Sequence, residues 1–397
     1  MAKTYESYKD SGIAWIGEIP SEWKVKRLGN FYNPRNEKVS DKDFAPLSVT
    51  MKGIVPQLET AAKTNDGDNR KLVRKGDFAI NSRSDRRGSC GISEYDGSIS
   101  LINTVLCPKG KMDAGFYNWL FHTTMFADEF YKWGHGIVDD LWTTKWSDMK
   151  NIYVVEPPMQ EQHSIASFLD TKCGEIDSLI SLQEEMISEL QAYKQSVITE
   201  AVTKGLDPNA KMNCCASREK NDACISSSET QPAIERKFKD SGVEWIGEIP
   251  EGWNLSRAKF LVEITHGTDP RTDGDIPVYG SGAGSFKTCG EYKEGDAVLI
   301  GRKGTLNIPH YIVGKYWNVD TAFDVKAKNC FSLRYYYYLA FCFDYKKYMS
   351  QTTLPGMTQS DYNNMTLPFP PLNIQKSIAT YLDSKTSQID SLISLKQ

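Results

Sequence analysis

No C-x-x-C pair occurs in this chain, and its nine cysteines, an odd number, are scattered from Cys90 to Cys342. The five histidines, His122, His135, His163, His266 and His310, form no zinc-ligand spacing with them. A zinc-ribbon or disulfide-stapled scaffold is therefore set aside in favour of free thiols in a reducing compartment. No apolar run approaches the roughly 20 residues that span a bilayer. Met1 to Asp10 has no signal-peptide h-region, so the expected location is the cytoplasm, with no membrane partner. Positive charge is not in excess either: 47 Lys and Arg against 51 Asp and Glu leave a formal net charge of −4. That disfavours a nucleic-acid binder relying on overall charge and leaves local clusters open. Catalytic signatures are missing too. There is no Walker A loop and no Asn/Asp-Pro-Pro-Tyr/Phe motif; the Pro-Pro pairs read Glu156-Pro-Pro-Met159 and Phe369-Pro-Pro-Leu372. Gly280-Ser-Gly282-Ala-Gly284 lacks both the G-x-G-x-x-G order and a following helix, and reads as a flexible loop.

What the chain does have is repetition. Tyr8 to Trp23 reads YKDSGIAWIGEIPSEW, and Phe238 to Trp253 reads FKDSGVEWIGEIPEGW. A second phrase begins PPMQEQHSIASFLD at Pro157 and returns as PPLNIQKSIATYLD at Pro370. The first pair is offset by 230 residues and the second by 213. Two copies of one unit stand in tandem with fillings of different length, the mark of a repeat architecture. At 397 residues there is room for a core in each.

Each unit reads as three parts. A lead-in segment carries Trp15 and Trp23, or Trp245 and Trp253, as anchors. A mixed body follows, without sustained helical periodicity. A Pro-Pro pair then opens a helix, since proline suits the first turn. The first helix is predicted from about Gln160 to Thr203. Its apolar positions Leu169, Ile176, Leu179, Met186, Leu190, Tyr193 and Val197 fall at three- and four-residue steps, with Lys172 and Gln183 as polar interruptions. Such a stripe resembles a coiled-coil seam and needs a second helix to cover it. The second copy, from Gln375 through Ile389 and Leu392, is the expected partner. Between the units, Leu206 to Arg236 is polar and aperiodic and reads as a solvated linker containing Cys214, Cys215 and Cys224.

The bodies share a grammar. Gly76-Asp77 precedes Phe-Ala-Ile-Asn-Ser and Arg83, and Gly295-Asp296 precedes Ala-Val-Leu-Ile-Gly and Arg302. Each predicts a turn, a buried strand and an arginine at the strand's exit. Cations gather there: Arg70, Lys71, Arg74, Lys75, Arg83, Arg86 and Arg87 in one body, and Arg302, Lys303 and Lys315 in the other. Neutralising phosphate is the largest sequence-independent source of nucleic-acid affinity, and arginine also reads guanine edges. Recurrence at the equivalent place argues against idle surface charge. Phe116 to Trp133 and Leu333 to Met349 read as helical and aromatic, with Tyr335 to Tyr338 assigned to core rather than to base stacking. Ser147-Asp148 and Ser360-Asp361 read as helix caps or turns. His135 and His266 read as loop residues without partners.

Taken together, Trp15-Ile-Gly-Glu-Ile-Pro20 with Trp23, its copy Trp245 to Pro250 with Trp253, Pro157-Pro-Met-Gln-Glu-Gln162 with Leu169-Asp170, Gly76-Asp77 and Gly295 to Arg302 resemble the specificity subunits of type I restriction-modification systems. The resemblance covers nearly the whole chain, and the duplicated order of the motifs is its specific part. It implies an α+β fold with two mixed target recognition domains and long helices forming an antiparallel coiled-coil spacer, a pseudo-two-fold tandem repeat. The implied division is 1–156 and 238–369 for the recognition domains, 157–205 and 370–397 for the spacer helices, and 206–237 for the linker. It further implies a non-catalytic subunit that binds a bipartite double-stranded DNA target and directs two methyltransferase subunits, and restriction subunits, to it. No cofactor is expected on this chain, with S-adenosylmethionine on the methyltransferase partner. The DNA-binding candidates are Lys71, Arg74, Lys75, Arg83, Arg86, Arg87, Arg302, Lys303 and Lys315. The helix-packing candidates are Leu169, Ile176, Leu179, Met186, Leu190, Ile389 and Leu392. The family's second helix usually matches the first in length, whereas here it is shorter. A self-contained DNA-modifying enzyme and a coiled-coil adaptor that binds only protein are the competing readings.

Overall fold

The structure is a computed structural model that describes residues 5–57, 67–83, 86–136, 142–206, 237–328, 330–349 and 355–396. Nearly all of the expected linker, with Cys214, Cys215 and Cys224, lies outside the described residues. The chain divides into two compact units, Met1–Ile180 and Ser181–Gln397.

Unit one opens with an antiparallel hairpin, Tyr8–Asp10 against Glu18–Pro20. Asp10 caps its turn by accepting from the Gly12 N–H at 2.9 Å, and Lys9 donates to the Ser21 carbonyl at 2.7 Å. The next strand, Lys24–Arg27, pairs with Tyr153–Glu156 just before Pro157, placing Val25 opposite Val155. The two ends of the body are thereby zipped together. Between them lies a four-stranded antiparallel sheet in the order Cys90–Ile92, Phe78–Asn81, Asn103–Pro108, Tyr32–Pro34. Gly76 takes φ +88° to turn the chain into Phe78–Asn81, a conformation that favours glycine. All four residues of that strand are buried. Three helices cover the sheet: α1 (Ala114–Phe121), α2 (Thr124–Lys132) and α3 (Trp146–Met149). Asp113 and Thr123 cap the first two by accepting from the amides of Phe116 and Phe126. Phe121 sits 4.6 Å from the rings of both Phe78 and Phe126 and joins helices to sheet.

Unit two repeats this frame. Its hairpin is Phe238–Asp240 with Glu248–Pro250, and its zipped ends are Asn254–Arg257 with Thr366–Phe369. Its central sheet runs His310–Ile312, Ala297–Gly301, Ala322–Ala327, Val262–His266, the same order, again all antiparallel. Gly295 makes the same turn at φ +105°. The helices are α5 (Ala258–Leu261), α6 (Leu333–Ala340), α7 (Tyr345–Tyr348) and α8 (Gln359–Asn364). Tyr335, Tyr336 and Tyr338 are buried core, as expected. The filling differs. Unit one adds a three-stranded sheet and the hairpin Leu47–Thr50/Gly53–Pro56; unit two adds a four-stranded sheet built around Ile276–Tyr279.

The Pro-Pro phrases open α4 (Met159–Lys204) and α9 (Leu372–Ser394). Their repeated glutamines explain the phrase physically. Gln162 accepts from the Asp113 N–H at 3.1 Å and donates to the Pro157 carbonyl at 2.8 Å. Gln375 does the same with Ser332 at 2.8 Å and Pro370 at 2.7 Å. Both glutamines are buried, and each satisfies the backbone at a helix cap and at a proline junction. The repeated Leu-Asp pair forms a second latch. Asp170 accepts from the Trp119 indole at 2.8 Å, and Asp383 from the Tyr338 hydroxyl at 2.6 Å and from Arg334.

Helix α4 is unbroken across the division between units, and its residues from Ser181 onward belong to unit two. There it runs antiparallel to α9: Gln183 donates to the Lys396 carbonyl at 2.6 Å, and Lys194 pairs with Asp390 at 2.7 Å. Ile198, Ala201 and Val202 share a core with Ile378 and Leu382. Of the seven expected packing positions, Ile389 is buried and Leu169 and Leu190 are half-buried. Ile176, Leu179, Met186 and Leu392 are instead exposed, at 54%, 64%, 42% and 49%. For Ile176 and Leu179 the reason is length: α4 has 46 residues and α9 has 23, so the shared seam reaches back only to about Gln183, whereas Met186 and Leu392 lie within that span and still face outward.

Two smaller expectations are corrected. Ser147-Asp148 lies inside α3 and caps nothing, whereas Asp361 completes a capping box with Thr358 on α8. His266 is in a strand, with its ring 4.9 Å from Phe323, and His135 exchanges both backbone bonds with Thr143.

Candidate nucleic-acid interface

The strand leaving the Gly76 turn ends against the segment that precedes α3. Ser82 donates its N–H to Ile102 and accepts at its carbonyl from the Thr144 N–H at 3.0 Å, which sets Arg83 across a bridge from Thr143. In unit two, Arg302 donates to Thr321 at 2.7 Å and accepts from the Met357 N–H at 2.9 Å, which sets Lys303 across from Gly356. The counterpart of Arg83 is therefore Lys303, and Arg302 occupies the place of Ser82. The expected pairing of Arg83 with Arg302 is off by one. Ala297–Gly301 has five residues where Phe78–Asn81 has four. With a side-chain period of two, one extra residue turns the following side chain to the other face. Arg302 accordingly turns to its own unit, donating to the Asp320 carbonyl at 3.0 Å and carboxylate at 3.2 Å. Lys303 keeps 46% exposure and a loose 3.8 Å contact with the same carboxylate.

Around Arg83 the sheet and the α3 segment enclose a cleft of about 430 Å³. Its polar lining includes Asn36, Lys71, Arg83, Thr143 and Lys145, with Trp146 on one wall. Arg83 itself is exposed, and no acidic side chain among the described residues pairs with it. Lys71 donates to the Asn103 carbonyl at 2.6 Å, and burial lowers its pKa below the ordinary lysine value.

The remaining candidates are not gathered here. Arg74 and Lys75 sit at the opposite end of the strand from Arg83, paired with Asp96 at 3.3 Å and Glu94 at 3.2 Å. Arg74 also covers the Phe44 ring. Backbone donation from Lys75, with Arg74 beside it, holds the Asp96 carboxyl below the usual carboxylate range. Arg87 pairs with Asp128 and lies 5.2 Å over Tyr131, which ties it to α2. Arg86 is exposed, and its carbonyl accepts from Ser89. Lys315 stacks 4.3 Å over Tyr292, beside the start of the strand that Arg302 ends. The apparent cationic cluster in sequence is thus sorted to two ends of a strand. Lys145 and Trp146 escaped the sequence reading because nothing local signals that the α3 segment meets the strand exit.

Among the described residues no group of His, Cys, Asp or Glu could hold a metal ion. No helix there is long and apolar enough to cross a membrane. Burial raises the Cys90 thiol to about 12 and the Cys342 thiol to about 11, so neither is a reactive thiolate.

Duplicated antiparallel sheets, each closed by the same latch and offering a cation at the same strand exit, define a tandem recognition scaffold. Residues 250–396 match the type I restriction modification DNA specificity domain. The chain is likewise similar to type I restriction enzyme specificity subunits over longer stretches. It is 25% identical to a type I restriction enzyme specificity subunit of Haemophilus influenzae, over 39% of this chain and 40% of that one. It is 25% identical to the MjaVIII specificity subunit of Methanocaldococcus jannaschii, over 63% of this chain and 51% of that one. The match thus spans about half or less of those two relatives. The MjaX specificity subunit of the same organism is 22% identical over 96% of this chain and 90% of its own. In fold, the chain is similar to the HsdS subunit from Thermoanaerobacter tengcongensis, with TM-score 0.51, 16% identity, and 96% and 93% of the two chains covered. A chain from a study of assembly and conformational transition of the type I R-M system superposes with TM-score 0.69 at 15% identity, covering 95% and 93%.

Proposed function

We propose that this chain is the DNA-reading, non-catalytic subunit of a type I restriction-modification complex, in which each unit recognises one half of a bipartite target. The observation that carries the reading is the recurrence of an exposed cation, Arg83 or Lys303, at one strand exit of two otherwise differently filled units. Identical frames bring the two exits to equivalent positions, and unlike surroundings give them unlike sequence preferences. Phosphate contacts from these cations set register, and neighbouring polar side chains, Asn36 and Thr143 in unit one, meet base edges. α4 is a continuous helix of 46 residues, as a spacer that rules half-site separation would need.

In this reading the chain directs two methyltransferase subunits, and restriction subunits, to the site. S-adenosylmethionine is bound by the methyltransferase and not by this chain, and the complex works in the cytoplasm. The modest net charge fits a subunit whose partners supply much of the nonspecific attraction.

The test is methylation of genomic DNA by the chain together with its methyltransferase. Arg83→Ala is expected to relax or lose one half-site and Lys303→Ala the other, with affinity falling steeply as salt rises. Methyl transfer by this chain alone would overturn the non-catalytic reading in favour of a self-contained enzyme. A salt-insensitive interaction without a DNA footprint would point to a protein adaptor.

A further inference from the structure

The sheet that unit two adds to the shared frame contains a hairpin, Ile276–Tyr279 against Ser285–Cys289. Its connection is the glycine-rich stretch Gly280 to Gly284, which close contacts pin beside the Lys303 strand exit. A Cβ on Gly280 would stand 2.9 Å from the Thr321 hydroxyl. Thr321 in turn accepts at its carbonyl from the Arg302 and Lys303 amides at 2.7 and 3.3 Å. A Cβ on Gly304, the residue after Lys303, would stand 3.5 Å from the Ser281 hydroxyl. The His310 ring donates from Nε2 to the Gly282 carbonyl at 2.7 Å, and Val319 donates its N–H to the Tyr279 carbonyl at 3.0 Å. The stretch that reads as a flexible loop in sequence is thus tied to the strand exit.

Pairing slips by one residue along this hairpin. Val278 faces Lys287 and Tyr279 faces Ser285, which leaves Phe286 as the extra residue of a bulge. A bulge re-aims a side chain, and here Phe286 is 60% exposed, with its ring 3.5 Å from where a Gly280 Cβ would stand. Lys287 lies 5.6 Å over that ring, and Ile276 to Cys289 contains no acid. An outward phenyl ring with Lys287 and Lys303 beside it suits an apolar spot on a polyanion. We propose that this hairpin enters the major groove at unit two's half-site and that Phe286 reads the C5-methyl group of a thymine there. The major groove admits a two-stranded ribbon. A phenyl ring has no hydrogen-bonding group, so the feature it can select there is the thymine methyl. This inference rests on the DNA-reading proposal and assigns one base contact within it.

The experiment uses the full chain with its methyltransferase, and the motif methylated in cells supplies the target. Synthetic duplexes replace each thymine of the motif, one at a time, by deoxyuridine, which lacks only the methyl group. Wild-type affinity is expected to fall about fourfold at a position in one half-site, the worth of one buried methyl group. Phe286→Ala is expected to bind thymine and uracil equally at that position. Phe260→Ala, at an equally exposed phenylalanine by the opposite end of the central sheet, is expected to keep the full discrimination. Wild-type binding indifferent to every deoxyuridine, or a Phe286→Ala complex that still discriminates at every position, overturns the inference and leaves DNA reading standing. Weaker binding by Phe286→Ala, where the wild type is blind to the methyl group, would make the ring a stacking wedge and also overturn it. A chain that directs no methylation at all would instead overturn the DNA-reading proposal, and this inference with it.

Discussion

Set side by side, the two units agree in their latches and differ in nearly everything the latches enclose. Gln162 and Gln375 each bond one backbone N–H and one proline carbonyl, and the hairpin lysines each bond a carbonyl. Such contacts ask little of the body's side chains beyond a helix cap in the right place. The filling is free to change for the same reason. Unit one carries buried Arg70, which donates to Ser98. Unit two instead carries buried Asp324, paired with half-buried Lys293 at 2.9 Å and supported by Tyr316. A frame held through backbone bonds tolerates new interiors, and with them new surfaces.

The largest break in that comparison is expected from Lys293→Met. It strands Asp324, which is 2% exposed, as an unpaired buried charge and should cost unit two about 3 kcal/mol. Native-state hydrogen exchange would then show earlier opening in unit two and none in unit one; equal loss in both would contradict independent interiors. Next come the latches. Gln162→Ala or Gln375→Ala leaves a buried N–H and a buried carbonyl unmet, at roughly 2 kcal/mol in the unit concerned. Thermal unfolding should separate into two transitions, with a different one lowered by each substitution.

A smaller effect distinguishes the two ends of one strand. Arg83→Ala should weaken DNA binding about tenfold, whereas Arg74→Ala, already paired with Asp96, should leave it nearly unchanged. A reversal in filter-binding titrations would move the interface to the other end. The smallest effect is on pH. The Asp96 carboxyl is depressed by backbone donation from Lys75, so its contribution is present above the unfolded carboxylate pKa and fades as pH falls through the folded one. Asp96→Asn should remove that acid-side dependence from unit one alone, as read by urea midpoints against pH.

Some features were legible along the chain because they are local. The Pro-Pro junctions and apolar stripe placed α4 and α9 within a few residues, and Gly76 and Gly295 marked turns into buried strands. The strand-exit cations were visible as a cluster, but their sorting was not. Arg74 and Arg83 are nine residues apart in sequence yet sit at opposite ends of one strand. Equating Arg83 with Arg302 failed because a gapless alignment cannot detect a strand lengthened by one residue. That extra residue shows only in which carbonyl meets Thr144 or Met357.

The amino-acid order alone determined that there are two copies of one unit, where their helices begin, and which family they resemble, since repetition, proline and periodicity act over short range. Tertiary structure decided which cation faces outward at each strand exit, and that the last turns of α4 share a core with α9 while Ile176 and Leu179 earlier on α4 stay exposed. Those outcomes depend on hydrogen-bond register and on packing between segments far apart in the chain, and no local pattern encodes either.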